Sequence, residues 1–250
     1  MGYNRFMRWI YLSPHLDDAA LSAGGLIHDQ AKAGMPVEIW TFMCGVPADT
    51  ELSLFAQVLH YQWGFASARE TVLSRREEDR QAAGILGAQV QHFDFLDCIY
   101  RRGSDGEWLY TDIYAPPHAE DADLPAKIAQ TISPRLRPDD MLVCQLAVGS
   151  HVDHVIVRRA AELLGRPLLY DADVPYLQAN PADLAPKSAG MQEKVYTVSE
   201  AGLRSWQEAV LAYQSQISSF GPAFDTPEKV RESLQSYWLE RKGIRLWERG

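Results

Sequence analysis

The chain has 250 residues, 46% apolar and 23% charged, the balance of an ordinary folded domain rather than of a disordered, collagenous or coiled-coil chain. Its 24 Lys and Arg against 33 Asp and Glu give a formal charge of −9, which argues against nucleic acid or an anionic membrane as the main partner. The three cysteines, Cys44, Cys98 and Cys144, are too few and too scattered for a disulfide framework or a CxxC metal site. Cys44 and Cys144 each end an apolar run, as buried thiols of a reducing compartment do. The start, MGYNRFMRWIYLSPHLDD, lacks the uninterrupted apolar region of a signal peptide. No stretch approaches the roughly 20 apolar residues of a spanning helix, so the expectation is a cytoplasmic protein without a membrane-spanning segment.

Trp9 to Leu12 predicts a first strand that stops at the turn Ser13-Pro14. A helix follows over 16–33, punctuated by Gly34 and Pro36, and Gly24-Gly25 inside it implies close packing against the sheet or a ligand. Val37 to Cys44 predicts a second strand, then helices over 50–63 and 69–86, the latter ended by Gly87. Val90 to Leu96 predicts a third strand. The long segment 98–119, rich in Gly, Asp, Tyr and Pro, suits recognition or a lid.

A helix over 121–133 stops before Pro134, and Met141 to Cys144 begins another strand. A helix over 152–164, a strand at Leu168 to Tyr170 and an irregular stretch over 174–192 come next. Lys194 to Val198 predicts a late strand, with helices over 200–218 and 227–241. Gly243 to Gly250 fits an edge strand or a tail. This alternation predicts an α/β, Rossmann-like fold, a mainly parallel sheet with helices on both faces. No internal repeat or linker divides 1–250, which reads as one domain. Its α/β core spans 1–170, and a C-terminal strand and helices over 171–250 complete it.

Polar chemistry concentrates at two strand-to-helix junctions. Ser13-Pro14-His15-Leu16-Asp17-Asp18 places His15 and Asp18 three residues apart, on one helical turn. Imidazole nitrogen and carboxylate oxygen are both zinc ligands. Asp17 points elsewhere and stays free to take a proton from water. Gly149-Ser150-His151-Val152-Asp153-His154 sets two histidines on one helical face behind the apolar run 141–148. Helix capping by the aspartates is the competing account of each cluster taken alone. It does not explain two clusters at strand C-termini, where open parallel sheets bind ligands. Together they supply three metal ligands, one unligated carboxylate and one spare histidine, the inventory of a metal-assisted hydrolase. His28, His60, His92 and His118 lack such carboxylate spacing and read as surface or loop residues.

These motifs resemble the PIG-L/LmbE family of zinc-dependent N-acetylglucosamine deacetylases. The match extends to Arg75-x-x-Glu78-x-x-x-Ala82-x-x-x-Leu86-Gly87, Phe95-Leu96 and Ala212-Tyr213-Gln214-Ser215-Gln216. Val152 stands where many members carry proline, and Leu146 to Ser150 lacks the tyrosine that some place near the reaction centre. The resemblance implies zinc (Zn2+) as cofactor, held by His15, Asp18 and His154, with Asp17 as general base. It further implies that His151 stabilises the oxyanion or protonates the leaving amine, and that Asp153 orients one of the histidines. Arg75 is the family-matched sugar-binding candidate, and Asp97, just past the third strand, is positioned to accept from sugar hydroxyls. Trp108, Tyr110 and Tyr114 suit stacking on a ligand or anchoring of their own loop. The partner so implied is a small-molecule amino sugar, with self-association into a homo-oligomer left open. A zinc amidase for non-sugar N-acyl substrates and a non-catalytic small-molecule-binding domain are the rival readings.

Overall fold

The computed structural model describes residues 7–48 and 50–249. Strand β1 (Trp9–Ser13) is buried along its whole length, and it lies between β2 (Val37–Thr41) and β4 (Met141–Gln145), parallel to both. Among the described residues the sheet has seven strands in the order β3-β2-β1-β4-β5-β7-β6. Here β3 is Gln89–His92, β5 is Leu168–Asp171, β6 is Met191–Thr197 and β7 is Gly243–Arg249. The first five are parallel, and only β7 pairs antiparallel, with β5 and β6. The chain winds outward from β1 to β3 and then returns to build β4 and β5 on the other side. The β1–β4 boundary is therefore the topological switch point.

Helices cover the sheet as the alternating pattern predicts. The chain contains α1 (Asp18–Lys32), α2 (Leu54–Trp63), α3 (Ala68–Leu86), α4 (Leu124–Ile132) and α5 (Val152–Leu163). The short α6 (Tyr176–Ala179) and α7 (Leu184–Lys187) precede β6, and α8 (Glu200–Leu211) and α9 (Pro227–Arg241) precede β7. α1 packs against α3 and α8, while α4 packs against α5. The glycine pair in α1 has a steric cause. A Cβ on Gly24 would stand 2.5 Å from Trp206 Cδ1, and one on Gly25 would stand 2.7 Å from Val198 Cγ1. The pair thus serves the contact with α8 and the segment before it, not a ligand.

Several expected boundaries move. β3 stops at His92 because Phe93 to Leu96 leave the sheet; Met43 and Asp94 keep one isolated bridge. α1 begins at Asp18 rather than Leu16, leaving His15 and Asp17 in a turn. α8 stops at Leu211, because the following residues bend to reach α3. Tyr213 Oη donates to Asp79 Oδ1 (2.6 Å), and Ser215 Oγ donates to Glu78 Oε2 (2.7 Å). Residues 243–249 form a strand, neither a tail nor an edge. Ile244, Leu246 and Trp247 are buried and need cover from both sides, whereas the largely exposed β6 tolerates the edge.

Candidate active site

β1 delivers the first cluster through a tied turn. Ser13 Oγ donates to the His15 carbonyl (2.7 Å) and accepts from Ala19 N–H (3.0 Å), fixing the backbone between the strand and α1. Within that turn Asp17 has φ 154°, a conformation that non-glycine residues seldom adopt and that concentrates at functional sites. β4 delivers the second cluster through Ala147, Gly149 and Ser150, with φ values of 57°, 79° and 61°. His151 then caps α5, its Nδ1 accepting from Asp153 N–H at 3.2 Å.

Because β1 and β4 are parallel neighbours, both turns emerge at the carboxyl end of the sheet and their side chains meet. Asp18 Oδ2 lies 3.2 Å from His15 Nδ1 and 3.3 Å from His154 Nε2. Zinc bonds of about 2.0–2.1 Å at tetrahedral angles place neighbouring ligand atoms about 3.3–3.4 Å apart. His154 Nε2 is buried and makes no hydrogen bond despite that proximity. The spacing, the orphaned nitrogen and the mixed nitrogen/oxygen donor set all fit a divalent metal. His151 also comes within reach, its ring nitrogen grouping with those of His15 and His154 within 4.8 Å. The carboxylate of Asp18, seated between the imidazoles of His15 and His154, offers an oxygen donor at the same place. A second cluster, His15, Asp97 and Asp153, lies on the far side of the His15 ring.

The outer nitrogens of both histidines face carboxylates. His15 Nε2 lies 3.1 Å from Asp153 Oδ2, so His15 is the histidine that Asp153 contacts. His154 Nδ1 lies 3.0 Å from Asp173 Oδ1. This is the arrangement that orients metal-binding imidazoles and selects their tautomer. Sequence reading missed Asp173, although its signal was present: in Asp171-Ala172-Asp173 the first residue ends β5 and the other two follow it, at the same carboxyl end of the sheet.

Burial and charge set the protonation of the cluster. Burial opposes ionisation of Asp18, but His154 and His15 hold its carboxyl well below the usual carboxylate range. Burial lowers His154, yet Asp18 and Asp173 keep its imidazole up at about 9. Asp17 is governed by burial, which pushes its carboxyl up to about 7 against the pull of Arg75. Burial, reinforced by the neighbouring His15 and His154, holds His151 well below the ordinary histidine value.

The cluster floors a cavity of about 620 Å³ lined by His15, Asp17, Asp18, Arg75, Asp97 and His151. Arg75 Nη2 lies 3.3 Å from Asp17 Oδ2, and its guanidinium stacks on Trp63 at 4.9 Å. Asp97 Oδ2 is 3.8 Å from His15 Nε2, while its Oδ1 accepts from Ile99 N–H. All eight residues singled out from the sequence therefore gather here. The loop aromatics divide. Tyr110 is a buried anchor bonded to Asp121, Trp108 lies under Arg102, and Tyr114 reaches the cavity wall. Tyr176 also lines the cavity, its ring 5.1 Å from that of His154. A tyrosine thus arrives from α6, inside the stretch read as irregular, rather than from the segment before His151. Two histidines depart from the surface reading: His60 is buried against Tyr100 Oη (2.6 Å), and His92 pairs with Asp79 (2.8 Å). Both face inward because α2 and β3 pack those positions against the core.

Residues 10–164 match the PIG-L family, described as GlcNAc-PI de-N-acetylase. Over 96% of this chain and 93% of its relative, the sequence is 24% identical to a 2'-N-acetylparomamine deacetylase of Niallia circulans. It is 32% identical to a 2'-N-acetylparomamine deacetylase of Streptomyces fradiae, over 68% of this chain and 57% of that protein. Among solved structures, the zinc-inhibited form of teicoplanin deacetylase Orf2 superimposes with a TM-score of 0.82 at 28% identity, covering 97% of each chain. With the family match spanning most of the α/β core and the His/Asp cluster assembled at the switch point, the chain belongs to the PIG-L family and is a metal-dependent deacetylase.

Proposed function

We propose that this protein removes the N-acetyl group from an N-acetylglucosamine-type sugar carried by a small-molecule glycoconjugate, using zinc held by His15, Asp18 and His154. The observation that carries the reading is the Asp18 carboxylate seated between His15 Nδ1 and His154 Nε2, beside an unligated Asp17 that opens on the cavity. The sugar amide is supported by the description of the family, GlcNAc-PI de-N-acetylase, and by the similarity to 2'-N-acetylparomamine deacetylases.

A zinc ion at this position supplies Lewis-acid polarisation of an acyl oxygen and acidifies water toward a pKa of about 7. Asp17 takes the proton of the attacking water, for which a carboxyl near neutrality is well matched. Arg75 holds the Asp17 carboxylate in place and lends its remaining donors to the sugar. His151 is a neutral donor in this scheme. Its Nδ1 accepts from Asp153 N–H, so its single proton resides on Nε2, available to a developing oxyanion. The C–N bond then breaks as the leaving nitrogen takes from Asp17 the proton that came from water, releasing acetate and the free amine. Asp97 accepts from sugar hydroxyls at the cavity wall.

Acetate release from N-acetylglucosamine, its glycosides and simple N-acyl amines tests the reading on zinc-loaded protein. Turnover of the sugar amides well above that of the acyl amines is expected. Equal turnover of acyl amines would replace the reading by a general zinc amidase. Absence of both turnover and retained metal would leave a non-catalytic binding domain.

A further inference from the structure

The segment expected to form a recognition loop or lid, which brings Tyr114 to the cavity wall, also sends an arginine beneath the His/Asp cluster. Arg101 follows the short turn Cys98–Tyr100, and only 7% of it is exposed. Its guanidinium makes two ion pairs and one hydrogen bond to a backbone carbonyl. Nη2 lies 2.6 Å from Asp153 Oδ1, Nε lies 2.9 Å from Asp121 Oδ2, and Nη1 donates to the Leu96 carbonyl at 3.0 Å. Its face covers the Tyr110 ring at 5.0 Å, and Tyr110 Oη itself donates to Asp121 at 2.6 Å. Asp153 is fully buried and uses both oxygens: Oδ1 meets Arg101, while Oδ2 meets His15 Nε2 (3.1 Å) and accepts from Cys98 N–H (3.0 Å).

We infer that Arg101 is a positioning residue for metal binding, acting through Asp153 on His15. The guanidinium fixes the plane of the Asp153 carboxylate, so that Oδ2 faces the outer nitrogen of His15. An acceptor held there keeps the His15 proton on Nε2 and leaves the Nδ1 lone pair toward Asp18. Arg101 reaches no cavity wall and has no part in the chemistry. The planar fork matters as much as the charge, because it must span Asp153 and Asp121 while stacking on Tyr110. A guanidinium that merely anchored loop 98–121 would need no contact with Asp153.

The inference rests on His15 being a ligand, and the test separates the two. Zinc affinity is measured by competition with a chromophoric chelator on wild type, H15A, R101Q, R101K, D121N, D153N and R101Q/D153N, each checked for fold by circular dichroism. R101Q is expected to lose about 10- to 100-fold in zinc affinity, the usual effect of removing a residue that supports a metal ligand. R101K should recover part of that loss, and D121N should show a smaller one. In a D153N background the R101Q change should cost little more, since its route to His15 is already gone. The His15 Nε2–H proton resonance of zinc-loaded protein should broaden in R101Q. Folded R101Q with wild-type affinity and an unchanged His15 signal, alongside an H15A variant that has lost zinc, overturns the role of Arg101 alone. H15A with wild-type affinity overturns the ligand assignment and this inference with it. Where R101Q does not fold, unchanged zinc affinity in both R101K and D121N overturns the inference.

Discussion

Asp173 Oδ1 lies 3.0 Å from His154 Nδ1, joining a residue at the end of β5 to one on α5 across 19 positions of chain. The other oxygen of Asp173 accepts from Val148 N–H at 3.0 Å, so one carboxylate ties the loop before His151 to the histidine after it. Replacing it by Asn keeps the size but removes an acceptor from a fully buried network. D173N is expected to bind zinc about 10- to 100-fold more weakly than wild type. Chelator competition checks this, and wild-type affinity in a folded variant would show that His154 needs no carboxylate support.

Asp17 and Asp18 are adjacent and both buried, yet they should fail differently. Asp18 contacts both His15 and His154, so D18N should lose metal and turnover together. Asp17 contacts Arg75 instead, so D17N should retain metal and lose about 10²–10⁴-fold in turnover, the range of general acid–base assistance. Metal content and rate measured on the same preparations decide it. A metal-loaded, nearly fully active D17N would transfer the base role to His151.

Acid stability should depend on a pair remote from the site. Burial opposes ionisation of Asp140, but Arg8, with Arg137 N–H, holds its carboxyl below the usual range. A folded pKa below the unfolded value, about 3.9, contributes stability that is complete above that value and lost as pH falls through the folded one. D140N should therefore lower stability at pH 7 by about 1–2 kcal/mol, and the gap should close progressively below about pH 4. Urea unfolding midpoints across that range provide the check. A gap that stays constant to pH 3 would contradict it.

The tight α1–α8 contact gives a packing prediction. The Cβ added in G24A would stand 2.5 Å from Trp206 Cδ1, and Trp206 is fully buried with its Nε1 donating to the Leu21 carbonyl. Displacing that ring should cost about 1–3 kcal/mol, outweighing the gain in helix propensity of up to about 1 kcal/mol. Thermal unfolding of G24A should show a lower midpoint. An unchanged or raised midpoint would mean that the two helices slide apart freely.

Local pattern along the chain determined a good deal. Apolar runs, alanine-rich stretches and Gly or Pro punctuation are properties of neighbouring residues, and they located most strands and helices within a few positions. The two His/Asp clusters were legible for the same reason, since each lies within a single turn after a strand. Tertiary structure alone decided how the pieces face one another. Asp153 reaches His15 across 138 positions, Arg101 enters from the loop after β3, and Asp173 and Tyr176 arrive from the end of β5 and the helix beyond. The parallel pairing of β1 with β4 makes those meetings possible, and β7 takes an interior place because its apolar side chains need neighbours on both sides. Periodicity records which face of an element is buried. It carries no record of which other element covers that face, because any apolar surface of suitable shape satisfies the same burial.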